Sequence, residues 1–345
     1  MEIFEVCLDL STITNGEEVV QLPAIETLVD DEDFPIPKRR RYAVSESILR
    51  ILFQCFEETE LENVGLQLWN GCFLLADYLI TNRQTLENQI ILELGAGVGF
   101  IGVVLKYIVK HQGAIITDFK DSIVSLASKN IESSKDTLLT KTFLPLANHA
   151  NDISSHFRAI PVECRVLDWK ETFNPFDLDP NHNGINSGWT SKDRDLLHSS
   201  HPVLYLAADV IYDDLLTIHF FTKLGQMIQP NEELLLTIEK RINFSLPLQR
   251  ELINGYDLFL FLIHHDRMKF TSLSNITDQI VVTTDDRSLQ NFRNDTKGKT
   301  VKECIKSIRQ KNFYGHCISL SEITQYVMSY ERNKNMEIWK ISTTS

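Results

Sequence analysis

Residues 90 to 109, IILELGAGVGFIGVVLKYIV, set Gly95, Gly97, Gly99 and Gly102 between two apolar runs. Ile90 to Leu94 suits a strand buried on both faces, and Phe100 to Val109 suits the helix packed behind it. Glycine permits the tight turn between them and lets a ligand touch bare backbone. A strand, a glycine-rich turn and a helix in that order is a nucleotide-binding geometry, so the chain is expected to be α/β.

The rest of the sequence repeats the alternation. Gly113 to Asp118 reads as a second strand ending in an acid, and Ile123, Leu126, Ala127 and Ile131 mark a helix. Val162 to Leu167, Val203 to Ala208 and Glu233 to Ile238 read as further strands, with helices over Ile218 to Ile228 and Leu252 to His264. Upstream, Ile48 to Phe56 leans to a strand, and Leu66 to Ile80 places Leu68, Cys72, Leu75 and Leu79 on one face of an amphipathic helix. Tyr326 to Tyr330 and Met336 to Ile341, around Arg332 to Asn335, predict an antiparallel hairpin. Together these imply a doubly wound, mostly parallel sheet with a terminal hairpin.

Its 345 residues divide into a flexible arm over 1–45 and one domain over 46–345, with polar insertions near 133–157, 174–200 and 267–311. The arm carries Asp30, Asp31, Glu32 and Asp33, then the basic run Pro37 to Arg41, which fits a nuclear import signal or a solvated linker. With 47 acids against 34 bases the net charge is −13, which argues against nucleic acid as a direct partner and favours a basic one. No apolar run reaches the length of a bilayer, and the first residues lack a signal-peptide pattern. The expectation is a monomer in the nucleus or cytoplasm, with no membrane contact. Six cysteines without a C-x-x-C pair read as reduced thiols, and ten histidines without ligand spacing give no metal site.

Ligands of doubly wound sheets sit beyond the carboxyl ends of the strands, and the candidate residues fall there. Two fingerprints overlap in the glycine turn. Gly97 to Gly102 fits the dinucleotide pattern G-x-G-x-x-G, while Glu93 to Gly99 fits the acid-x-G-x-G-x-G loop of S-adenosylmethionine (SAM) enzymes. A carboxylate at Glu93 repels a pyrophosphate and attracts an ammonium and a sulfonium, which favours SAM against Gly95, Ala96 and Gly97. Asp118 is placed to accept hydrogen bonds from ribose hydroxyls, and Asp168 with Trp169 to meet an adenine ring. Trp69 and Ala208 complete the expected cofactor set. Asp209 and Tyr212, in DVIY after the fourth strand, would meet the reacting group, with the Tyr212 ring holding a lysine ammonium by cation–π attraction. Each of these has a plain alternative: a surface aspartate, a core tryptophan, a buried tyrosine at a turn.

ELGAGVG, the TD of the second strand, LDW, DVIY and LQLW, in order, resemble the seven-strand protein-lysine methyltransferases grouped as family 16. The resemblance covers Leu61 to Asn130, Val162 to Trp169, Leu204 to Leu260 and the final hairpin. It implies the seven-stranded class I SAM-dependent fold, Rossmann-like, and an enzyme that methylates a lysine of a basic, nucleic-acid-binding protein. It carries Glu93, Gly95, Gly97, Asp118, Asp168, Trp169 and Trp69 to the cofactor, and Asp209 and Tyr212 to the target lysine. Val98 departs from it, standing where relatives often have a threonine, and the insertions at 133–157 and 267–311 have no counterpart in it.

The expected reaction is direct displacement, in which a neutral lysine amine attacks the sulfonium methyl and Asp209 and Tyr212 orient the amine. The rival readings are a SAM enzyme for another amine or for RNA, a nicotinamide oxidoreductase, and a catalytically silent binding module of the same fold.

Overall fold

The computed structural model describes residues 2–9, 48–56, 61–141, 161–178, 188–265 and 272–344. Its main sheet has seven strands: β3 (Ile90–Leu94), β4 (Gly113–Asp118), β5 (Val162–Val166), β6 (Val203–Ala208), β7 (Glu233–Glu239), β10 (Phe313–Ile318) and β11 (Met336–Thr343). Their order is β10-β11-β7-β6-β3-β4-β5. The five from β3 to β7 are parallel, and β11 runs antiparallel to both β7 and β10. From β3 the chain winds outward through β4 and β5, then returns to lay β6 on the other side of β3, so the winding reverses between β3 and β6.

Alternation within the strands produces the two layers. Ile90, Leu92 and Leu94 join one core with Tyr205, Leu234 and Leu236, packed under α5 (Asp214–Met227) and α6 (Tyr256–Leu262). Ile91 joins the opposite core with Ala114, Ile116, Leu204 and Leu206, beneath α1 (Asn70–Thr81), α2 (Phe100–Tyr107) and α3 (Asp121–Lys141). Successive side chains of a strand point to opposite faces, so strands covered on both sides are mostly apolar, as β3 and β4 are except for Glu93, Thr117 and Asp118 toward their carboxyl ends.

Several expectations are corrected. Within the expected arm, Glu2–Asp9 forms a strand, β1, paired antiparallel with β2 (Ile48–Cys55), and Val6, Leu8, Ile51 and Phe53 bury one face of the pair. The acidic and basic runs of the arm lie outside the described residues. Asn130 of α3 ties β2 to the glycine turn: it accepts the Gln54 N–H at 2.9 Å and donates to the carbonyls of Gln54 and Val98.

Helix α3 runs on through 133 to Lys141, and 142–160 lie outside the described residues. The stretch 174–200 contains α4 (Ser191–Leu197), started by a capping box between Thr190 and Asp193; 179–187 are not described. The expected insertion at 267–311 is, from 272 on, three helices: α7 (Leu273–Thr283), α8 (Asp286–Asp295) and α9 (Val301–Arg309). Between β7 and α6 stands a small hairpin, β8 (Asn243–Ser245) with β9 (Arg250–Leu252).

The terminal hairpin is also drawn differently. Met336–Thr343 is a strand, but its partner is Phe313–Ile318, not Tyr326 to Tyr330. The latter stretch bridges β1 through Val327 and Leu8 and packs on α1, where buried Asp77 accepts the N–H groups of Tyr326 and Val327 and the Tyr330 hydroxyl. Arg332 completes this cluster with an ion pair to Asp77 at 2.8 Å.

Candidate active site

A cavity of about 530 Å³ opens beyond the carboxyl ends of β3, β4 and β6, where the winding reverses. All eleven residues singled out from the sequence line it: Trp69, Glu93, Gly95, Ala96, Gly97, Asp118, Asp168, Trp169, Ala208, Asp209 and Tyr212.

The turn after β3 is held from β4. The N–H groups of Gly95 and Ala96 both donate to the Thr117 carbonyl at 2.9 Å, and the Thr117 hydroxyl donates to the Glu93 carbonyl. Gly95 and Gly97 have φ of 80° and 54°, in the left-handed region. A Cβ on Gly95 would sit 2.8 Å from Cγ1 of Val210 and 3.3 Å from the Trp169 ring, so this wall tolerates no side chain.

Glu93, one residue before the end of β3, is 2% exposed, and its Oε2 has no hydrogen-bond partner among the described residues. Burial, reinforced by the nearby Asp118 carboxylate, pushes its pKa up to about 8. Asp118 accepts the N–H of Gly97 on Oδ2 at 2.9 Å and its neighbour's, Phe119, on Oδ1 at 2.8 Å. Burial still raises it to about 6 against those two bonds.

Asp168 follows β5 and accepts the Lys170 N–H, leaving capacity on its second oxygen. Trp169 sits edge-on to Phe220 of α5, ring centroids 5.1 Å apart, with its Nε1 buried and unpartnered among the described residues. It is thus both a core and a cavity residue. The segment behind it is anchored by Lys223 of α5, whose buried ammonium donates to the carbonyls of Glu171 and Phe173 at 2.6 Å each. Trp69 donates its indole N–H to the Val64 carbonyl and carries the Arg241 guanidinium over its ring at 4.1 Å.

Asp209 lines the cavity and also ties two elements together: Oδ2 accepts the Gly71 N–H and Oδ1 the Glu239 N–H, each at 2.7 Å. The physical reason lies at the start of α1. A helix leaves its first N–H groups unsatisfied, and Trp69, at the N-cap, has no side-chain oxygen to offer them. Asp209 caps the helix from across the fold instead, in a left-handed conformation with φ 55°. Burial raises it to about 6, the two N–H donors pulling the other way. Tyr212, by contrast, lines the cavity beside Asp213 with its phenol pushed up to about 12, chiefly by burial, and it therefore stays protonated at neutral pH.

The sequence reading missed several lining residues. Phe119, 42% exposed, follows Asp118 directly, and Val64, Gly65 and Gln67 precede α1. His219 comes from α5, and Ser288, Asn291, Phe292 and Asp295 from α8. These last four stand at i, i+3, i+4 and i+7, one stripe of a helix, which is the signal that was available.

Residues 51–179 match the family model described as "Lysine methyltransferase". Methyltransferase-like protein 22 of Mus musculus is 26% identical over 257 residues, 73% of this chain and 56% of the relative. Its counterpart of the same name in Homo sapiens is 27% identical over 212 residues, 60% of this chain and 46% of the relative. The chain therefore spans about half the length of the relatives it matches. The solved N-methyltransferase NodS from Bradyrhizobium japonicum, in complex with S-adenosyl-L-homocysteine, aligns over 80% of this chain and 86% of its own at 9% identity and a TM-score of 0.32. Over residues 51–179 the chain matches the lysine methyltransferase family's model, and over 60–73% of its length it is similar to methyltransferase-like protein 22.

Proposed function

We propose that this chain is a SAM-dependent N-methyltransferase whose substrate is a lysine side chain of a basic protein. The observation that carries the reading is Glu93: a buried carboxyl with an unpartnered oxygen, in a cavity also lined by the buried acids Asp118 and Asp209. Such a cavity attracts a cation and repels a pyrophosphate. The turn fits the cofactor as well, since Gly95 presents bare backbone to the cavity between the Val210 and Trp169 side chains, and no side chain at position 95 could be accommodated.

On this reading Glu93 holds the ammonium of the cofactor, the Gly95 to Gly97 backbone passes along it, and Asp118 accepts from the ribose hydroxyls. Asp168 and the Trp169 indole take the nucleobase. The cofactor supplies the methyl group and the leaving sulfur, so the protein's work is placement and exclusion of water. Tyr212 receives the lysine: its ring face attracts the ammonium as it arrives, and its protonated hydroxyl orients the amine once the proton has left to solvent. Asp209 acts here through α1, holding the Trp69 wall in place. The family match and the net charge of −13 support a protein substrate of basic character.

The test has two parts. Calorimetric titration of the full chain with SAM and with NAD should give binding for SAM alone; binding of NAD in its place defeats the cofactor assignment. Radiolabelled methyl transfer into a cell extract, with hydrolysis of labelled bands to amino acids, should yield methyl-lysine. Label in RNA or in small amines would overturn the substrate.

A further inference from the structure

Helix α8 lies outside the segment matched by the family model, yet one stripe of it forms a wall of the cavity. Phe292 anchors this stripe: it is 2% exposed, with its ring 5.1 Å from that of His219 on α5. One turn on, Oδ2 of Asp295 stands 3.9 Å from Nε2 of His219. Asn291 sits beside them at the rim.

Two observations locate and distinguish this wall. Phe220, the neighbour of His219 on α5, packs its ring 5.1 Å from that of Trp169, and the charges of Lys170 and Asp168 act on His219. The wall thus belongs to the Asp168 and Trp169 end of the cavity. Asp295, furthermore, is the last residue of α8, where a carboxylate works against the helix dipole, so its place there owes nothing to helix stability.

We infer that α8 reads the outer edge of the cofactor's nucleobase, with Asp295 as acceptor for the 6-amino group of adenine and Asn291 and His219 beside it. This rests on the SAM reading above. A 6-amino purine offers an N–H donor where a 6-oxo purine offers an acceptor, and a carboxylate accepts from the first and repels the second. Burial holds His219 down to about 4, so its ring is neutral and able to donate from one nitrogen and accept on the other. The Asp295 side chain is 31% exposed, so its replacement does not disturb a buried core.

The experiment is calorimetric titration of the full chain with S-adenosylhomocysteine and with its 6-oxo counterpart, S-inosylhomocysteine, using wild type and Asp295→Asn. Wild type should prefer the amino compound by about tenfold or more. In Asp295→Asn, whose amide can donate, the amino compound should weaken by about tenfold while the oxo compound tightens. That exchange of preference cannot come from loosened packing, and a melting curve confirms that the variant is folded. Unchanged affinities in Asp295→Asn overturn the inference and leave the SAM reading standing. Failure of wild type to bind either compound overturns both.

Discussion

Oδ2 of Asp209 lies 2.7 Å from the backbone nitrogen of Gly71, joining the turn after β6 to the first turn of α1 across 138 positions of sequence. A Cβ on Gly71 would fall 2.5 Å from Cγ of that carboxyl, so the bond exists because position 71 has no side chain.

Gly71→Ala therefore tests the contact by sign. Alanine in a helix is favoured over glycine by about 1 kcal/mol, so an ordinary helical glycine would gain from the change. Here the methyl displaces Asp209, and a net loss of roughly 1–3 kcal/mol is expected in urea unfolding. A stabilised variant would show that the clamp is not where the structure puts it.

Asp209→Ala should destabilise by about 2–4 kcal/mol, because the buried N–H groups of Gly71 and Glu239 both lose their acceptor. The loss should appear without any ligand, in the urea midpoint, and fall with Asp209→Asn, which keeps one acceptor. An Ala variant as stable as wild type would return Asp209 to a purely chemical part.

Glu93 gives the site a pH dependence of definite direction. Its folded pKa of about 8 lies above the ordinary 4.5, so between those values the folded protein keeps a proton that the unfolded chain has released. Stability of the free protein should thus decline from pH 6 to pH 8, by at most roughly 1.4 kcal/mol per unit. Asp118 and Asp209, at about 6, contribute the same sign mainly below that window. A cationic ligand reverses the dependence, since it favours the ionised carboxyl and should bind more tightly as pH rises to 8. Melting temperatures with and without SAM at the two pH values, in wild type and in Glu93→Gln, check both statements; Glu93→Gln should flatten each.

Tyr212→Phe should retain most of the ring's attraction for an ammonium and raise KM little, whereas Tyr212→Ala should raise it several-fold, in line with a cation–π contribution of about 0.5–2 kcal/mol. Because the phenol titrates only near 12, the rate profile of wild type should show no limb from Tyr212 below about pH 10. Equal KM values for Phe and Ala would remove the ring from substrate contact.

Most of the strands from β3 to β7 were legible because a strand covered on both faces is a short, largely apolar run, and few other elements are. The insertion at 267–311 was not, for the converse reason. Its helices bury only Ile276 and Ile280, Phe292, and Val301, Cys304, Ile305 and Ile308, in a stretch that is otherwise mostly polar and charged. Local chemistry could still have exposed them: Thr300 and Glu303 form a capping box, and Ser272 and Asp285 cap the other two helices. Tyr326 to Tyr330 has the β-branched and aromatic content of a strand, but Asp77 takes its N–H groups, and a sequence does not show which distant carboxyl will compete with a ladder.

In the site, residues fixed by the ends of strands could be read directly, because position along a strand dictates position in the fold. The partners of Asp209 could not, since they come from an uncapped helix start and from β7. For the α8 wall, the stripe of Ser288, Asn291, Phe292 and Asp295 marks one face of a helix, but where that face docks is set by tertiary packing.

One more consequence lies in the placement of β11. The last strand among the described residues has neighbours on both sides, β7 and β10, instead of lying at an edge. Until residues 336–343 are inserted, the β7 edge stays open, and the Asp209 anchor on Glu239 rests on an unsupported strand. Ligand capture should accordingly follow the insertion of that strand, and any intermediate that lacks it should offer a raw hydrogen-bonding edge to chaperones or to its own kind.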